Sequence, residues 1–181
     1  MLQLKVVINP EGWDEVKEEF VPEQTITLEL EHSLVSISKW ESKWCKPFLA
    51  DKEKSHEETL DYIKCMMLTP NIPDEIYSYL TKENYDAIYE YIYAPMTATT
   101  FPKSSSGKRT SEIVTSELIY YWMVALNIPP EYRYWHLNRL MTLIRVCNVK
   151  NQPPKKQKPG DTMARWHSIN EARRKQRPKK R

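Results

Sequence analysis

The chain is poor in glycine, with three among 181 residues: Gly12, Gly107 and Gly160, none near another. Loops that cradle phosphates need backbone to approach the ligand closely, which clustered glycines permit. A P-loop or a dinucleotide-binding turn is thereby excluded. Cysteine is equally sparse. Cys45, Cys65 and Cys147 are odd in number and widely spaced, which argues against a disulfide framework and for a reducing compartment. Long apolar runs are missing too. None approaches the roughly 18–20 residues of a membrane span, so no membrane partner is expected. Met1-Leu2-Gln3-Leu4-Lys5 lacks the basic-then-apolar plan of a secretion leader. The four histidines, His32, His56, His136 and His167, have no Cys or His neighbour at a metal-ligand spacing. Each is read as a surface or locally bonded imidazole, and the cysteines as small core hydrophobes. No catalytic residue, cofactor or metal is expected, and the chain reads as non-enzymatic.

Charge is abundant but divided. Of 27 Lys/Arg and 24 Asp/Glu, 12 basic and two acidic residues lie between Lys150 and Arg181, a local net of +10. That leaves 15 basic and 22 acidic groups in residues 1–149, a net of −7, which the overall +3 conceals. A basic arm on an acidic body attracts acidic partners. The length fits one domain and a tail. With 40% hydrophobic residues and 11 tyrosines, the body is not disordered by composition.

Periodicity divides the body further. Leu4, Val6 and Ile8 alternate, as do Ile26, Leu28 and Leu30, the mark of half-buried strands. The connection from Asn9 to Gln24 is too long for a tight hairpin, and its Trp13 and Phe20 are read as packing over the sheet. From His32 the period turns helical, with Leu34, Ile37, Trp40, Glu41 and Trp44 three or four apart. Pro47 ends that helix. Ser55-His56-Glu57-Glu58 is a capping box opening a helix that turns Leu60, Ile63 and Met67 inward and stops at Pro70. A short helix with Ile76, Tyr77 and Leu80 follows, then one capped by Thr81 and ended by Pro95. Tyr85, Tyr89, Tyr91 and Tyr93 read as core plus amphipathic surface. Residues 96–110 read as a mobile linker. Thr115 to Asn127 places Leu118, Ile119, Trp122 and Leu126 on one face, and Pro129-Pro130 suits the first turn of a second helix reaching Asn148. Leu137, Leu140, Met141, Ile144 and Cys147 face inward there, and the two helices are expected to pair antiparallel.

The fold class expected is mainly α: a helical bundle with a small N-terminal two-stranded β element and a basic, poorly ordered C-terminal tail. Residues 1–149 form one α-rich domain, comprising a β element at 1–31, helices over 32–95, the linker at 96–110 and a helical hairpin over 111–149. Residues 150–181 form the tail, with an amphipathic turn set around Met163, Trp166, Ile169 and Ala172. Aromatic and arginine residues dominate binding hot spots. The candidate partner-binding residues are therefore Trp40, Trp44, Tyr132, Trp135 and Arg139 in the body, and Trp166, Arg173, Arg174 and Lys175 in the tail.

The order Trp40-Glu41-Ser42-Lys43-Trp44-Cys45-Lys46-Pro47-Phe48-Leu49, then Met96-Thr97-Ala98-Thr99, Ile119-Tyr120-Tyr121-Trp122-Met123 and Trp135-His136-Leu137-Asn138-Arg139-Leu140 resembles a phage family. These are small proteins from the tail-gene region of long-tailed, siphovirus-like bacteriophages, the tail assembly chaperones. The likeness is one of overall pattern from about Glu29 to Lys175, without a short diagnostic motif. It implies a non-enzymatic protein of the host cell cytoplasm. Such a protein coats the helical tape-measure protein, recruits tail-tube subunits and leaves as the tube forms. No catalytic residues carry over from this family, and a basic tail is not one of its defining features. Self-association through the tail is a further expectation. The alternatives are a structural tail or connector protein of the virion and, ranked below it, nucleic-acid binding through the tail. The acidic body opposes the last, because it repels a polyanion.

Overall fold

The computed structural model describes residues 1–14, 18–50, 52–101, 113–151, 163 and 166–171. They are mainly helical, with a small β element at the N-terminus. The chain divides into two compact units, Met1–Asn148 and Val149–Arg181. Among the described residues no helix is long and apolar enough to cross a membrane.

Strands β1 (Leu2–Asn9) and β4 (Gln24–Leu30) pair antiparallel, with Leu4 opposite Leu28 and Val6 opposite Ile26. The alternation puts Leu4, Val6, Leu28 and Leu30 on one buried face, as period two requires. The ribbon then continues as β2 (Gly12–Asp14) and β3 (Glu19–Val21), where Trp13 sits opposite Phe20. These two rings do not pack over the sheet as expected. They are a cross-strand pair, each 61% exposed, because the extension carries them beyond the helical layer's buried face.

Helix α1 (Leu34–Trp44) starts where the Ser33 hydroxyl accepts the Ser36 N–H, and ends at Cys45, whose φ of 51° is left-handed. Pro47 then prevents any continuation. Helix α2 (His56–Met66) has the full capping box, Ser55 accepting from the Glu58 amide and the Glu58 carboxylate accepting from the Ser55 N–H. Its buried face is centred on Tyr62, Ile63 and Met66, with Leu60 and Met67 only half-buried. The helix stops early because Met67 turns extended and bridges to Leu30, while the Leu68 N–H donates to the Glu29 carbonyl at 2.8 Å. A 3₁₀ turn (Asp74–Tyr79) leads to α3 (Lys82–Tyr93), capped reciprocally by Thr81 and Asn84. Residues 96–101 carry no helix or strand, and linker residues 102–110 lie outside the described residues.

The expected helical hairpin is altered. Helix α4 (Ser116–Ala125) buries Ser116, Ile119 and Met123, a face offset from the expected Leu118, Trp122 and Leu126, which are half-buried. A separate 3₁₀ turn (Pro130–Tyr134) follows, and α5 (Leu137–Asn151) starts only after it. The break is tertiary in origin. His136 pairs as a bridge with Ser33, and the Leu137 N–H donates to the His32 carbonyl at 2.8 Å. Helix α1 is the centre of the helical layer, meeting α2, α4 and the 130–134 turn, while α3 lies against β1. Leu34, Ile37 and Trp40 of α1, Ile119 of α4, and Leu137, Leu140 and Ile144 of α5 are buried in one core with the strand leucines. Of the expected inward set on α5, Met141 and Cys147 are half-buried. In the second unit residues 166–171 are helical, with Met163 and Trp166 exposed; Ala172 lies outside the described residues.

Candidate functional site

The first unit carries an open cleft of about 540 Å³. One wall is α3, whose Tyr85, Tyr89 and Tyr93 recur at one-turn intervals beside Ile88 and Ile92. The opposite wall is the loop between α1 and α2, with Phe48, Leu49, Lys52, Glu53 and Lys54, backed by Tyr62 and Ile63 of α2.

The loop wall is held from below. Glu41, buried on α1, accepts the Phe48 N–H at 2.7 Å through one oxygen and the Ser116 N–H at 2.7 Å through the other. Phe48 then packs on Tyr62 with ring centroids 4.0 Å apart and meets Trp40 edge-on at 5.2 Å. The Lys54 ammonium lies 4.3 Å from the Phe48 ring centroid. Burial pushes its pKa below the ordinary lysine value, and the nearby Glu58 partly opposes that shift. At the far end of the α3 wall, Asn138 donates to the carbonyls of Ile92 at 2.9 Å and Ala94 at 2.8 Å, satisfying the end of the helix. The cleft thus has largely aromatic and apolar walls, and its charged lining residues, Lys52, Glu53 and Lys54, lie on the loop. Concave, largely apolar sites with a few polar groups are the usual form of a binding site.

Beneath the cleft two histidines form a buried pair. His32 and His136 have ring centroids 5.0 Å apart and are 2% and 5% exposed. His32 Nδ1 lies 2.5 Å from the Tyr62 hydroxyl, and His136 Nε2 lies 3.0 Å from the Tyr91 carbonyl. The Asn138 N–H donates to His136 Nδ1 at 3.3 Å, so Nε2 carries the proton that the carbonyl accepts. Burial drives His32 down to about 3, reinforced by His136, and lowers His136 as well. Both rings are neutral and structural. Neither is the surface imidazole expected; His136 is bonded locally, by Asn138, whereas the partner of His32, Tyr62, is distant in sequence. Each precedes a helix and lies beside an apolar stripe, which is the only local hint of burial. Likewise Cys45 is exposed, contrary to the core role expected, while Cys65 and Cys147 are half-buried.

The expected partner-binding residues divide by location. Trp40 is 1% exposed and its Nε1 donates to the Glu58 carbonyl at 2.8 Å, so it belongs to the core and offers a partner no surface. Trp44 stacks on it at 6.2 Å and donates to Asp61 at 3.0 Å, with Lys43 and Lys46 above its ring. Tyr132, Trp135 and Arg139 come together in one stack. The two rings are 4.1 Å apart at 17°, and the guanidinium lies 4.0 Å over the indole. Trp166, in the second unit, is 59% exposed. Arg173, Arg174 and Lys175 lie outside the described residues. The cleft itself was missed, although the α3 tyrosine spacing signalled its wall; the loop wall has no comparable local signal.

Among the described residues no three His, Cys, Asp or Glu side chains group closely enough to hold a metal ion. Scanned against protein-family models, curated proteins and solved structures, the chain matches none.

Proposed function

We propose that the chain is a non-enzymatic binding protein, a tail assembly chaperone of a long-tailed bacteriophage that acts in the host cytoplasm on the tape-measure protein. The observation that carries this reading is the aromatic cleft between α3 and the loop after α1. Its α3 wall spans about two helical turns, a length suited to the apolar stripe of an amphipathic partner helix. A tape-measure protein presents such stripes repeatedly, so modest contacts sum through avidity and still release as tail-tube subunits polymerise. The helices of the first unit are read as one bundle centred on α1. Co-expression with the tape-measure protein tests this. The partner's soluble fraction rises and the two co-purify; if neither occurs, the reading falls. Stoichiometric copies in purified virions would favour the structural tail component instead.

A further inference from the structure

The reading of the cleft as a helix-binding site leaves open which helices it selects, and Lys54 bears on that. Lys5, Lys43, Lys46 and Lys64 each pair with a carboxylate, on Glu23, Asp61, Glu58 and Asp74. Lys54 is arranged differently. It is half-buried in the cleft wall, with the rings of Phe48 at 4.3 Å and Trp40 at 5.9 Å beneath its ammonium. Among the described residues no carboxylate lies within ion-pair distance of it and no acceptor within hydrogen-bond distance. Ring faces attract the charge but accept no conventional hydrogen bond, so its three donors keep their capacity. A cation held at low dielectric interacts more strongly with an arriving anion than a fully solvated one does. Glu58, the carboxylate that acts on Lys54 from nearby, is itself paired with Lys46, so Lys54 keeps an uncompensated charge beside an apolar surface.

We propose, on the basis of that helix-binding reading, that Lys54 reads a carboxylate on the occupant. The cleft then selects an acidic amphipathic helix in which Asp or Glu stands one turn from an apolar anchor. The anchor fills the space among Phe48, Tyr89 and Ile92, and the carboxylate reaches the ammonium without crossing the apolar wall. Helices with a basic or neutral residue at that place leave the ammonium unpaired in the wall, which disfavours them by difference rather than by clash.

Labelled synthetic amphipathic peptides of about 20 residues, long enough to form helix on docking, provide the probe. They share one leucine stripe and carry Glu, Gln or Lys one turn from its centre. Fluorescence anisotropy with the full chain is expected to show the Glu peptide bound about tenfold tighter than the Lys peptide, a typical gain for a partly desolvated charge pair. Lys54→Gln removes the preference and Lys54→Glu reverses it, with circular dichroism melts confirming that both variants fold. Equal affinity of the unmodified chain for the Glu and Lys peptides overturns the proposal, as does a preference that survives Lys54→Glu. Tyr89→Glu on the opposite wall separates the two layers of the argument. If it weakens all three peptides alike while Lys54 variants change nothing, the cleft still binds helices and only the charge reading falls. If no peptide binds at all, both fall.

Discussion

Glu41 holds Ser116 across 75 positions of sequence: its carboxylate accepts the Ser116 N–H at 2.7 Å. The other oxygen accepts the Phe48 N–H at the same distance. One buried side chain thus ties the start of α4 and the cleft loop to α1. Glu41→Ala leaves two buried donors without an acceptor and is expected to destabilise by about 2–5 kcal/mol. Glu41→Gln keeps one acceptor oxygen and costs less. Urea titrations of both variants measure the difference, and equal midpoints would show that water replaces the carboxylate.

The histidine pair makes stability depend on pH. In the unfolded chain a histidine titrates near 6.5, whereas folded His32 titrates near 3. Below pH 6.5 the unfolded state therefore binds more protons, and stability falls as pH drops through the window between these values. At 1.4 kcal/mol per unit, His32 alone removes roughly 2 kcal/mol between pH 6.5 and 5. The lowered carboxylate of Glu58, held by Lys46 and the Ser55 amide, adds a loss only below its ordinary value of 4.5. Melting curves at pH 7.5, 6 and 5 are expected to shift downward. A flat profile over that range would show that the pair is hydrated or paired in its charged form.

On α5 the inner row is Leu137, Leu140 and Ile144, with Leu140 fully buried. Leu140→Ala is expected to cost roughly 2–5 kcal/mol, as truncation of a packed leucine does. Met141→Ala, at a half-buried position, costs less. An unchanged melting temperature for Leu140→Ala would mean that this row does not stabilise the fold.

Removing residues 150–181 takes away a net charge of +10 and none of the core side chains of the first unit. The truncated chain is expected to melt at the temperature of the full one. Its self-association weakens, most visibly at low salt, where exposed charges are least screened. Light scattering at two ionic strengths reads the effect, and an unfolded truncation product would show that the tail is structural.

Much of the local architecture was legible in the sequence because its causes act over a few residues. Ser55 and Thr81, the two caps expected, accept amides three positions ahead, and Pro47 acts on the turn just before it. The alternation of Leu4, Val6, Ile26 and Leu28 likewise marked β1 and β4 without knowledge of the fold. Side-chain types alone carried those decisions. The tertiary structure decided the rest. It drew Trp40 into the core, set His32 against His136, and ended the 130–134 turn before α5 because Ser33 and His32 supply backbone partners there. It also built the cleft, whose α3 wall is a readable stripe but whose loop wall exists only because Glu41 and Tyr62 hold Phe48 in place. Caps and periods are local energies, written within one or two turns of chain. Burial of a charge or a ring depends on which distant segments arrive around it, and no short stretch of sequence carries that information.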